Sequence, residues 1–133
     1  MNYYGAKDLA AAFRTVRANT LVIANELTEE QYGFSPAPGS RTVGQLLTHI
    51  AVISKLQQQV HGVEKRTTLE GFDFPTFFGG IMAEEQKPRT KAEIIALLKD
   101  NGDSFAGWLE TVSDDFLGER VGMPPGASPA SKT

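Results

Sequence analysis

The sequence predicts an all-α fold, a single-domain bundle of long amphipathic helices, and three observations predict it. Three stretches, about residues 6–27, 42–61 and 90–113, repeat apolar or small side chains at steps of four and three, the spacing of one helix face. Two of them open on a Thr-x-x-Gln or Thr-x-x-Glu capping box. No run alternates apolar with polar residues convincingly enough for a sheet, and no internal repeat or domain-scale linker divides the 133 residues, which suffice for one core.

The first helix carries its seam on Leu9, Phe13, Val16, Thr20, Ile23 and Leu27, the spacing of helices packed nearly antiparallel. TEEQYGFSPAPGS follows, and Pro36, Pro38 and Gly39 end any continuation. The second helix starts at Thr42, whose hydroxyl can accept from an early backbone N–H while Gln45 reaches back. It should run to about His61, with Gly62 as its stop. Residues 63–89 are less regular, but Pro75 suits the first turn of a short helix over about 75–86. Phe72, Phe74, Phe77 and Phe78 around it either lid one end of the core or form an exposed aromatic surface for a partner. Thr90-Lys-Ala-Glu93 opens the third long helix, with Ile94, Leu98, Asn101, Phe105, Trp108 and Val112 on its face and Gly102 as a weak point where it can bend.

Ser128-Pro129 reads as one more helix start, serine capping and proline in the first turn. Three long helices with wide apolar stripes make an incomplete bundle. The expectation is therefore a C-terminally truncated form of a longer protein, or a missing place filled by a partner chain.

Composition narrows the function. Thirteen basic against 16 acidic residues give a net charge of −3, and no Lys/Arg cluster marks a nucleic-acid footprint. The absence of cysteine removes disulfides, thiolate zinc sites and a cysteine nucleophile. No apolar segment is long enough for a signal-peptide core or a membrane span, so the sequence reads as a soluble cytoplasmic domain without membrane or nucleic-acid partners.

One residue interrupts the apolar pattern. His49 stands among Leu46, Ile50, Ile53 and Leu56 in RTVGQLLTHIAVISKL, on a face shared with Gln45 and Val52. It is either a core histidine with satisfied nitrogens or one corner of a metal site. His61, the only other histidine, lies about 18 Å further along the helix and about 120° around it, so the two cannot share an ion within one chain. Asp73, Glu84 and Glu85 fall in the irregular connection and are not expected to complete a site, and no H-E-x-x-H motif is present.

Phe13-Arg14-Thr15-Val16-Arg17, the acidic turn Leu27-Thr28-Glu29-Glu30, the loop Ser35-Pro36-Ala37-Pro38-Gly39 and Thr42-Val43-Gly44-Gln45-Leu46-Leu47-Thr48-His49-Ile50 together resemble the DinB superfamily of DinB-like and YfiT-like metal-binding proteins, over roughly residues 6–120. The resemblance implies an up-and-down-type four-helix bundle that binds a divalent metal, zinc or nickel, through three histidines. His49 matches the ligand from the second helix. The other two come from an H-x-x-x-H pair on the last long helix, and no residue of this sequence matches them. The metal is therefore an expectation for the family and can be absent from this chain.

Three imidazoles with open positions suit a catalytic ion that activates water or a thiol, or polarises a carbonyl. The implied activity is that of a metal-dependent hydrolase or thiol-dependent transferase on a small-molecule substrate. No residue is assigned a catalytic role; Gln45, Thr48 and Trp108 are candidates for supporting or pocket positions, with ordinary helix surface or core as the plainer reading. The rival readings are a non-catalytic bundle acting through homodimerisation across an apolar helix face, and small-ligand binding in the core without metal.

Overall fold

A computed structural model describes residues 4–124 and 130–131. Helix α1 spans Ala6–Glu26, and Asp8 accepts from the backbone N–H of Gly5 at its start. A single 3-10 turn, Glu30–Gly33, then packs Tyr32 into the core, where its hydroxyl donates to the carbonyl of Ala24 at 2.6 Å. Helix α2 spans Val43–Val52, α3 Ser54–Gln57, α4 Phe74–Gln86, α5 Lys91–Thr111 and α6 Asp114–Gly118.

Both threonine capping boxes form as the sequence expects, on Thr42 with Gln45 and on Thr90 with Glu93. Helix α4 begins one residue before Pro75, with the Asp73 carboxylate accepting from the N–H of Thr76. The Phe72, Phe74, Phe77 and Phe78 rings gather into one cluster by edge and stacked contacts, with Phe77 reaching the core and Phe78 exposed.

The core joins Ala24, Tyr32, Leu47, Ala51, Val52, Ile81, Ile94 and Leu98. Helix α5 is its axis, contacting both α1 and α2, while α4 covers α2. Side-chain bonds give the directions. Arg14 reaches Glu110 near the end of α5, and Lys91 at its start donates to the carbonyls of Asn25 and Leu27, so α1 and α5 are antiparallel. Gly44 lies against Ile94, the Ala51 carbonyl accepts from Asn101, and Gly62 meets Trp108, so α2 and α5 run the same way. The connection through α4 carries the chain back across the bundle between them.

Four expectations change. The fully buried face of α1 is Ala6, Ala10, Arg17 and Ala24; of the expected seam, Leu27 packs on the core and Phe13 on Phe105, whereas Val16 and Ile23 are 63% and 57% exposed. Small residues permit close helix approach, and this turns the buried stripe by one residue, about 100°. The second helix loosens at Ile53 and ends in a wide, π-type turn over Gln58–Val63. Gly62 lies inside that turn, not beyond the helix; a Cβ there would stand 3.0 Å from Nε1 of Trp108, so the glycine serves close packing. Finally, Arg120–Val121 pairs antiparallel with Ala130–Ser131. Ser128 and Pro129, read as a helix start, lie outside the described residues, and the two residues after them are extended, not helical.

Candidate functional site

The site is assembled where α2 and α4 meet. Thr42 fixes the first turn of α2: its hydroxyl accepts from the Gln45 N–H, and the Gln45 side chain accepts from the Thr42 N–H at 2.9 Å. His49 follows Gln45 by one turn, on the same side. The deepest face of α2 is Gly44, Leu47, Thr48, Ala51 and Val52, so His49 sits on the shoulder rather than at the bundle axis, its side chain 28% exposed. From α4, Ile81 enters the core and Glu85, four residues on, is carried to the flank of α2 with a side chain 3% exposed.

Three side chains converge there. The Glu85 carboxylate meets Nδ1 of His49 through Oε1 at 2.5 Å. It also accepts from Arg41 Nε through Oε2 at 2.6 Å and from Nη2 through Oε1 at 3.3 Å, a two-point contact from the residue just before the helix cap. Burial pushes the Glu85 carboxyl upward, but the hydrogen bonds of Arg41 and His49 and the charge of Arg41 outweigh it and hold the group below the usual carboxylate range. The hydrogen bond and charge of Glu85 in turn raise Arg41 above its ordinary value. Nε2 of His49 makes no hydrogen bond among the described residues.

Glu85 is the residue that sequence reasoning placed outside any site, and the structure brings it against His49. Arg41 was missed altogether. The available signal was faint: a carboxylate one turn beyond a core isoleucine on a short helix, and an arginine adjoining a capping box. Of the supporting candidates, Gln45 lies beside the cluster and contacts Gln86. Thr48 is buried and donates to the Gly44 carbonyl at 2.8 Å. Trp108 packs between Phe105 and Phe116, against Gly62 rather than His49. His61 lines a separate pocket of about 360 Å³ with Phe13, Phe105, Trp108 and Phe116. Among the described residues, no three His, Asp or Glu side chains gather as a ligand set.

The cluster of histidine, carboxylate and arginine at the α2–α4 junction of an all-α helical bundle is thus the main chemistry-bearing feature of the described residues. The chain belongs to the DinB superfamily, whose sequence pattern matches residues 12–133. No curated protein matches it. No helix among the described residues is long and apolar enough to cross a membrane.

Proposed function

We propose that this chain is a divalent-metal-binding member of the DinB superfamily in which Nε2 of His49 supplies one ligand. One observation carries the reading: His49 is half-buried beside a carboxylate that engages Nδ1, while Nε2 has no protein partner among the described residues. Metal-bound histidines characteristically give their other nitrogen to a carboxylate or carbonyl. The described residues fit the group as one donor and not as a full set, so no reaction step is derived through it. The remaining positions are open to water and to donors from outside the described residues. Zinc or nickel held this way would supply an activated water or thiol, the chemistry of a hydrolase or thiol-dependent transferase.

The test is titration of the purified chain with Zn²⁺ or Ni²⁺, read by chelator competition and by the ring resonances of His49. Binding should perturb His49 before His61, and His49→Ala should weaken affinity at least tenfold. Unchanged affinity in that variant removes His49 from the ligand set.

A second reading, association with another copy, is favoured by Val16, Ile23 and Leu46, which are 63%, 57% and 50% exposed on α1 and α2. Light scattering that returns only monomer at micromolar concentration sinks it.

A further inference from the structure

The Arg41–Glu85 pair has a geometry that does more than cancel charge. A neutral imidazole has one N–H and one lone pair, and the partner of one nitrogen decides which form is present. An ionised carboxylate accepts only, so a neutral His49 facing Oε1 of Glu85 must carry its proton on Nδ1. That leaves the lone pair on Nε2, the nitrogen without a protein partner among the described residues.

Arg41 keeps the carboxylate in that role. Its two-point contact, Nε to Oε2 and Nη2 to Oε1, engages both oxygens of a side chain that is only 3% exposed, the pairing geometry of a guanidinium with a carboxylate. The same contact sets the rotation of the carboxylate plane, and so the direction in which His49 is held. The parts are anchored independently: Arg41 and His49 flank the Thr42 capping box, and Glu85 is placed by Ile81 one turn earlier in the core. With both oxygens engaged by protein groups, Glu85 acts here as a positioning residue.

We infer that Arg41 and Glu85 form a positioning pair that locks His49 in the Nδ1–H form and presents Nε2 as a metal-ligating lone pair. This deepens the metal reading above and rests on it for the identity of what Nε2 receives; the locked tautomer is a property of the metal-free chain.

The discriminating variant is Glu85→Gln, which keeps shape and removes charge. An amide has one acceptor end and one donor end. Arg41 can only donate, so it takes the amide oxygen and turns the NH2 group toward His49. Nδ1 must then accept, and the proton moves to Nε2, where it blocks the ligating atom. Adding Arg41→Ala frees the amide to turn round and should restore Nδ1–H. A purely structural role for Glu85 predicts no such reversal.

The readout is ¹⁵N spectra of histidine-labelled, metal-free protein, at a pH where the ring is neutral, with circular dichroism checking the fold of each variant. The wild type should show the proton on Nδ1, Glu85→Gln should show it on Nε2, and the double variant should return toward the wild type. Zn²⁺ affinity by chelator competition should fall about ten- to a hundredfold in Glu85→Gln and recover in part in the double variant. The proposal is overturned if the wild type carries its proton on Nε2, or if Glu85→Gln leaves the tautomer unchanged. Should the wild type bind no Zn²⁺, the ligand reading fails alone, and the metal-free spectra still decide whether the pair locks the ring.

Discussion

Two charged side chains are buried among the described residues, and the bundle compensates them in opposite ways. Glu85 is met by other side chains: a guanidinium and an imidazole, both partly exposed. Among the described residues Arg17 has no carboxylate partner. Its guanidinium donates to the carbonyls of Leu98 at 2.6 Å and Ile50 at 3.1 Å, and lies 5.1 Å from the centre of the Phe13 ring. Burial lowers its pKa from the ordinary arginine value without displacing the charge. Backbone dipoles on two helices thus hold a cation projected from a third, and α1, α2 and α5 are tied at one point. The difference separates a strut from a site. Fixed carbonyls orient nothing that can exchange, whereas side-chain partners with free faces hold a group that can act on something else.

The largest effect should come from removing the strut. Arg17→Ala leaves two carbonyls without their donor and opens a cavity on α1, at a cost of roughly 3 kcal/mol. Urea unfolding measures it. Arg17→Lys should recover little, because one ammonium on a different stem cannot reproduce the forked contact. A cost below about 1 kcal/mol would mean that Arg17 is only passively enclosed.

Gly102 sharpens the same point. A Cβ there would lie 2.9 Å from Cγ of Arg17, near the root of that side chain, so the glycine makes room for the strut. Gly102→Ala should destabilise the wild type by about 1 kcal/mol, since overpacking outweighs the gain in helix propensity. In an Arg17→Ala background the sign should reverse, to a gain of up to about 1 kcal/mol. Additive effects across that double-mutant cycle would break the link between the two residues.

The Glu85 cluster should announce itself through pH instead. Its folded-state pKa lies below the ordinary 4.5, so its stabilisation is complete above that value and is lost as pH falls through the lower, folded value. Wild-type stability should drop across that acidic window, and Glu85→Gln should flatten the drop. Equal slopes in the two proteins would show that the carboxylate titrates alike folded and unfolded. A smaller effect belongs to the cap that orients the cluster: Thr42→Ala should cost about 1 kcal/mol in urea unfolding.

The contrast also explains what could be read in advance. Helix starts were legible at Thr42 and Thr90, because a capping box is local chemistry that needs no tertiary partner. The first half of the apolar face of α5 was legible because Ile94 and Leu98 are both large and buried, whereas further on the buried positions are the small Gly102 and Ala106 and the expected Asn101, Phe105 and Trp108 are only half-buried. The seam of α1 was not, since hydropathy ranks Val16 and Ile23 above Ala10, Arg17 and Ala24, while close approach and carbonyl acceptors reverse that order. His49 stood out as a polar break in an apolar helix. Its partners did not: Glu85 and Arg41 are ordinary surface residues in sequence, joined only when α4 packs across the start of α2.

The smallest folding effects should come from the residue beside the strut. Val16 adjoins Arg17 in sequence, yet it lies at the open rim of the groove between α1 and α2 and is 63% exposed; Ile23, two turns on, is 57% exposed. Val16→Ser and Ile23→Ser should each change unfolding stability by no more than about 0.5 kcal/mol. Their value lies in a second measurement. If α1 meets another copy through this flank, the double Val16→Ser, Ile23→Ser variant should lower the associated fraction in sedimentation while leaving the urea midpoint of the dilute protein in place. A face that serves neither core nor partner changes neither quantity, and a midpoint shift as large as that of Arg17→Ala would return Val16 and Ile23 to the core that hydropathy had assigned them.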